Sequence, residues 1–406
     1  MSANTTASSL HVLVAGGGIA GNAVALQLLR AGARVTVVER AAEPRPGGQA
    51  VDLRSASKVV AERMGLLPAI AKVQLDEKGM CWVDRDGRVF AGASMEDMDG
   101  KGIVADIEIT RGDLNRVLLD AVAEAGGALD YRYSDWVQTL EQDDSGVDVG
   151  FASGRTGRYD LVVAADGVHS ATRNLAYGPG AETFLGGYMA FFTMPSPVGS
   201  DIRPGWFAMH TIPSASFAIR PDHDPATSKA IITMRTDQRP ELRRDVEAQK
   251  ELIRGALTGA GWRAAEVLAA MDSTPDFYFD ELDRIDVDSL SRGRVVLVGD
   301  SGYCGSPLTG MGTAMAFVGA YILAGEIAST PDDLAGALTR YEEKVTPFLA
   351  KAKELPGGGL KIMLPKSKAL VAMARWNLKL MFSRLMRPVA VKMFFSATDD
   401  FELPNY

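Results

Sequence analysis

The stretch Val12–Arg40, VLVAGGGIAGNAVALQLLRAGARVTVVER, decides the fold. It reads as a strand, a glycine turn, a helix from about Ile19 to Arg30, and a second strand ending in an acid. Gly16-x-Gly18-x-x-Gly21 has the dinucleotide spacing: Gly16 permits a tight turn, Gly18 lets main chain approach a pyrophosphate, and Gly21 lets helix and strand pack closely. The helix N-terminus offers unpaired N–H groups and a partial positive charge to that pyrophosphate. Glu39, at the second strand's end, is placed to accept hydrogen bonds from a ribose diol. Ala20 in the turn and Arg40 beyond the acid join the same candidate site. A dinucleotide is expected; these residues alone leave open which one.

Outward from this unit, a chain of 406 residues predicts two lobes, or one large domain with insertions. At 47% hydrophobic and 23% charged it has the composition of a globular enzyme. The net charge of −8 argues against a nucleic-acid partner. The leader MSANTTASSL lacks the charged-then-apolar pattern of a signal peptide, and no run is expected to reach the roughly 18 apolar residues of a membrane span. Cys81 and Cys304 form no disulfide framework and fit a reducing cytoplasm. The four histidines, His11, His169, His210 and His223, show no metal-ligand spacing, so no metal is expected.

Further along, YDLVVAADG ends a buried apolar run at Asp166-Gly167, and GRVVLVGD ends another at Asp300. Residues 80–110 and 184–236 read instead as short strands between Pro, Gly and Asp turns. The expected architecture is α/β with α+β insertions: a parallel Rossmann-like sheet, an interleaved antiparallel-sheet domain and a C-terminal helix. The nucleotide domain is assigned to 1–75, 106–180 and 285–350, the substrate domain to 76–105 and 181–284, and a C-terminal helical segment to 351–406. In that last segment Leu370, Ala374, Leu378, Met381 and Leu385 recur at helical spacing, with Arg375, Lys379 and Arg387 on another face. Between Lys344 and Lys392 stand eleven Lys/Arg against one acid, Glu354. Two readings follow: an anionic membrane surface, or, favoured by the lack of an exposed aromatic cluster, a helix clamping the lobes with its basic face solvated.

Three strand-end motifs in fixed order, the glycine fingerprint, AADGVHSATR and VLVGDSGYCGSPLTGMGTAMA, resemble the class A flavoprotein aromatic monooxygenases, the p-hydroxybenzoate hydroxylase superfamily. The resemblance spans roughly residues 11–350. It implies FAD, with NADPH or NADH as a transient reductant. It also implies that Asp300 holds the ribityl–pyrophosphate region, and that Pro307 through Gly312, including Gly310, lead into a helix whose positive end faces the flavin ring. Asp166, with Arg173 after it, maps to a segment implicated in FAD and pyridine-nucleotide contacts. Arg111 maps to a helix-start arginine on FAD. An arginine there opposes the helix dipole unless an anion is near.

RPGGQAVDL (Arg45–Leu53) looks like the loop of the tetracycline-modifying and polyketide-hydroxylating branch. The likeness assigns Arg45 to the reductant, Asp52 to the flavin, and Gln49 to the same loop site; Arg45 and Asp52 also read as ordinary loop charges. Many relatives have histidine where Tyr303 stands and asparagine where Ala314 stands, which weakens claims about proton handling at the ring. His169 reads as exposed and inert.

The implied activity is FAD-dependent, NAD(P)H- and O2-consuming hydroxylation of a bulky aromatic or polyketide-like substrate, tetracycline-type molecules included, through a flavin C4a-hydroperoxide. The flavin carries the chemistry, so no catalytic triad or carboxylate pair is expected. A role in antibiotic biosynthesis or resistance fits, in a cytoplasmic monomer or weak homo-oligomer. Met189, Phe191, Phe192, Phe207, Met209 and His210 are candidate pocket residues, His210 as the polar member. Epoxidation, Baeyer–Villiger insertion and ligand sequestration without turnover are the alternatives.

Overall fold

The computed structural model describes residues 10–45, 47–94, 107–199, 202–355, 358–383, 385–386 and 401–406. The fold is mixed α/β, as the sequence predicts. A six-stranded sheet runs in the order Ser291–Arg292, Val295–Leu297, Leu161–Ala164, His11–Ala15, Arg34–Glu39, Leu129–Tyr133. All its pairings are parallel except that of Ser291–Arg292. Its central strands are apolar without alternation because both faces are covered. Helices Ile19–Arg30 and Gly312–Ser329 pack on one side, and a three-stranded sheet (Val137–Gln142, Val147–Phe151, Thr156–Tyr159) on the other.

Gly312–Ser329 amends one sequence expectation. It is long and apolar enough to cross a bilayer, yet 78% of that stretch is buried. It is apolar all round because it is enclosed by protein on every side.

The second sheet has seven strands in the order Tyr278–Ile285, Glu182–Pro195, Thr227–Arg235, Ala215–Pro221, Trp206–Ile212, Gly79–Val83, Val89–Ser94. Period-two alternation gives it two unlike faces. Tyr188, Ala190, Phe192, Phe217, Ile219 and Ile232 point back onto helices Val246–Leu257 and Ala264–Ser273, forming a closed core. Met189, Phe191, Met209, Ala218 and Ile231 alternate with them and so occupy the front.

The C-terminal segment departs from expectation. Helix Lys368–Met381 lies on the front of the sheet's Val89–Ser94 end, with Leu378, Met381 and Phe382 against Trp82, Phe90, Ala91 and Ala93. Leu370 and Leu385, expected inside, are exposed. Residues 401–406 are not helical; they return to the first unit, where Phe401 packs on Phe348 and the Tyr406 hydroxyl donates to Glu326 Oε1 (2.7 Å). Arg387 lies outside the described residues.

Candidate active site

The glycine turn has the division of labour its spacing implies. Gly16 has φ +109°, and a Cβ there would lie 2.4 Å from the Ala165 carbonyl oxygen. A Cβ on Gly21 would come within 1.9 Å of the Gly16 oxygen, so helix and turn are in main-chain contact. At Gly18 a Cβ would meet nothing within 4 Å. Gly18 is also the N-cap of Ile19–Arg30, and no side chain caps that helix. An open, uncapped helix start fits a pyrophosphate.

Glu39 Oε2 accepts the Gly17 N–H (2.8 Å) and Oε1 the Ala41 N–H (2.7 Å), which fixes the carboxylate while leaving a lone pair on each oxygen for a ribose hydroxyl. Behind the turn is a polar brace that sequence reading missed. Fully buried Asn22 donates to the Gly17 carbonyl (2.8 Å) and to Asn115 (2.9 Å), and accepts from the Tyr131 hydroxyl (3.1 Å). An asparagine inside an apolar helix was the available signal. Arg40 is exposed, outside these contacts.

The third motif meets the first directly. A Cβ on Gly299 (φ +69°) would lie 2.7 Å from the Ala20 Cβ, so Asp300 is held over the glycine turn. Burial raises the Asp300 pKa, opposed by the nearby Arg111 charge. Beyond it, Pro307–Thr309 is one 3-10 turn ending in left-handed Gly310, and Gly312 opens the long helix. No side chain caps that helix either, and a Cβ on Gly310 would meet nothing within 4 Å. Two uncapped helix starts and two open glycines thus stand where the first and third motifs meet, which suits a long dinucleotide cofactor.

Residues 47–49, which lead into the strand Ala50–Leu53, are tied to the start of helix Arg111–Glu124. The Gly47 carbonyl accepts the Gly112 N–H (2.6 Å) and the Gln49 carbonyl the Arg111 N–H (2.9 Å). Arg111 stands exposed beside Gly48, but the anion expected at its helix start is already present as Asp113 in the same turn. Arg45 is exposed at the loop tip.

Asp52 is occupied differently from its assignment to the flavin. Its carboxylate pairs with Arg54 and lies 3.9 Å from Arg220. Arg220 also bonds Glu77 (2.7 Å) and Glu108 (2.5 Å), and its guanidinium lies 5.3 Å from the Phe207 ring centroid. Three acids around two arginines form a largely buried cluster that ties the loop to the second sheet. Burial, assisted by the Glu77 charge and opposed by Arg220, pushes the Glu108 carboxyl up to about 8.

At the middle motif, Asp166 is absorbed by its own turn, accepting from Ser170 and from the Thr172 N–H (3.0 Å). Arg173 is fully buried and bonds the Val168 (2.9 Å) and Ser301 (3.0 Å) carbonyls and Glu182, so it braces the second and third motifs. His169 is exposed, as expected, but it has a partner. Its Nε2 is 2.8 Å from Asp280 Oδ1, and the Tyr278 hydroxyl donates to Asp280 Oδ2 (2.6 Å). The hydrogen bond to Asp280 raises the His169 pKa. Sequence reading missed Tyr278 and Asp280, which reach this place only through sheet pairing.

On the front of the second sheet, Met189 packs against the cluster of Leu282, Leu360 and Leu364, against which Leu308 of the Pro307–Thr309 turn also packs. Phe191 faces Tyr278 with ring centroids 6.3 Å apart. Met209 shares that front, as does Lys229, whose Nζ lies 2.5 Å from Thr193 Oγ1 and 3.1 Å from Asp222. His210 and Phe192 point to the back. The His210 ring is fully buried, with Nδ1 2.8 Å from the Val83 carbonyl and Nε2 3.3 Å from that of Ala260, so it is a structural residue and leaves the pocket set. Tyr303 is likewise core, its hydroxyl 3.4 Å from that of Tyr341.

A model of the FAD-binding domain family matches residues 9–354. The chain belongs to that family. It is an FAD-dependent monooxygenase of class A, in the p-hydroxybenzoate hydroxylase superfamily. A flavin-dependent monooxygenase from an unknown prokaryotic organism is 35% identical, over 84% of this chain and 86% of that one. The FAD-dependent monooxygenase asL4 of Sarocladium schorii is 32% identical over 98% of both chains. Among solved structures, tetracycline destructase Tet(51) superposes with TM-score 0.78 at 30% identity, over 98% of this chain and 99% of that one.

Proposed function

We propose that this monooxygenase hydroxylates a bulky, flat aromatic or polyketide-like compound, a tetracycline-type molecule among the candidates, with NADPH or NADH as transient reductant. The observation that carries this reading is that Met189 and Leu308 pack against one and the same cluster, Leu282, Leu360 and Leu364. It sets an apolar sheet face (Met189, Phe191, Met209, Ile231) against the turn that opens the long helix. Bound FAD supplies electron uptake from the nicotinamide and activation of O2.

The chain's own groups do the rest. Main-chain N–H groups at Gly18 and Gly312 hold negative charge, with Asp300 and Glu39 as hydrogen-bond acceptors between and beyond them. Leu308, Leu360 and Leu364 keep water from the reacting end. Thr193 and Lys229, held by Asp276 and Asp222, make a polar rim beside that face. Kinship with Tet(51) supports the tetracycline-type candidate.

The test is NADPH oxidation by the purified yellow protein with polycyclic against single-ring phenols. Faster oxidation with polycyclic compounds, coupled to oxygenated product, is expected. Tight binding of those compounds without added oxidation would refute the reading.

A further inference from the structure

Helix Lys368–Met381 is buried on one side only. Val371, Leu378, Met381 and Phe382 face the protein, the Phe382 ring 4.9 Å from that of Trp82. On the opposite side Leu370 (45%), Met373 (56%), Trp376 (67%) and Leu380 (50%) are exposed. At 100° per residue, Met373, Trp376 and Leu380 fall within about 60° of one another, and Leu370 borders them. Ile362 before the helix and Leu385 after it are also exposed, at 66% and 86%. Apolar side chains so exposed and so aligned mark an interaction surface rather than ordinary scatter.

The charge pattern says what kind. From Leu355 to Thr398 the sequence has eight Lys/Arg and no acid, in a chain whose net charge is −8. Lys361, Lys366, Lys368 and Lys379 are exposed, and Lys368 and Lys379 share one border of the apolar stripe.

We propose that this helix docks the protein on an anionic lipid surface, lying in the interface plane. Trp376, Met373 and Leu380 enter the headgroup–acyl boundary while the lysines meet lipid phosphates. An apolar stripe edged by lysine, with tryptophan at its centre, fits that boundary. A second copy of this chain fits it less well, because a two-fold pairing would bring these acid-free cationic borders together. Leu360 and Leu364, which line the substrate face, precede the helix by a few residues, so docking sets that wall of the pocket beside the lipid.

The experiment is co-sedimentation of the full-length, FAD-loaded protein with vesicles of phosphatidylcholine alone and of phosphatidylcholine with about 30 mol% phosphatidylglycerol. Binding only to the anionic vesicles, weakened by salt, is expected. Met373→Glu/Trp376→Glu should reduce it about ten-fold or more, and Lys368→Glu/Lys379→Glu should also weaken it. Both double variants should keep the parent's FAD content, which shows that they fold. Absence of binding, equal binding to neutral vesicles, or binding indifferent to Met373→Glu/Trp376→Glu would overturn the proposal. So would a stable dimer in sedimentation that the same variant dissolves, which would give the stripe to a second copy.

Discussion

The two ends of the proposed FAD and substrate site are built from different materials. At the pyrophosphate end the working groups are main chain: an open Gly18, two helix starts without side-chain caps, and glycines whose absent Cβ atoms leave room. At the substrate end they are side chains on alternate positions of a sheet, where one residue's shift reverses every role. Phe191 lies on the front of the sheet while Phe192 fills the back core, and Met209 lies on the front while His210 is sealed behind. A main-chain site tolerates little variation and serves one cofactor. A side-chain face can be re-lined without disturbing the fold beneath, which is how one scaffold serves many substrates.

Between the two lies the Arg220 cluster, and the largest effect is expected where it joins them. Arg220→Met leaves Asp52, Glu77 and Glu108 facing one another, with Arg54 as the remaining counter-charge among the described residues. Loss of stability by about 3–5 kcal/mol is expected in denaturant titrations; an unchanged midpoint would mean that the two ends are not coupled there. Glu108 sharpens the same point through pH. Its folded pKa, about 8, lies above the ordinary 4.5, so between these values the unfolded chain has released a proton that the folded one retains. Stability should therefore fall as pH rises across that window and level off above it. Glu108→Gln should flatten the slope, and a slope that survives the substitution would assign it to another group.

At the main-chain end, Asp300→Asn should weaken FAD retention by about 1.5–3 kcal/mol, the worth of a charge-assisted hydrogen bond. A variant as yellow as the parent after dialysis would remove Asp300 from the cofactor contacts. On the sheet, Phe191→Ala should raise KM for a polycyclic substrate by the equivalent of about 1–3 kcal/mol. His210→Leu should leave KM alone and lower only the melting temperature. The reverse pattern would invert the two faces. The smallest effect is expected at exposed Arg45, where Arg45→Ala should slow flavin reduction in stopped flow with FAD content unchanged; a parental rate would leave Arg45 an ordinary loop charge.

The same contrast explains what could be read from the sequence. Gly16, Gly18, Gly21 and Glu39 were legible because a pyrophosphate approached by main chain demands glycine at set intervals, and spacing along a chain is visible without a fold. The place of Asp300, shortly after a buried strand, was legible from the apolar run before it. Asn22, Tyr278 and Asp280 were not, since their roles come from partners about 90 to 110 positions away, such as Asn115 and His169. Alternation alone could not say which face of a strand is the front, hence His210. Asp52 lies in a strand, Ala50–Leu53, where a loop was expected, and Asp166 in its expected turn, but local partners occupy both carboxylates.

The most direct measurement is the mass of the product formed from a polycyclic phenol under isotopically labelled O2, with FAD-loaded protein and NADPH. One labelled oxygen atom in the product is expected, with formation depressed by Phe191→Ala and retained in His210→Leu. NADPH consumed with hydrogen peroxide as the sole outcome, or a product whose added oxygen carries no label, would contradict oxygen transfer to a substrate held on this face.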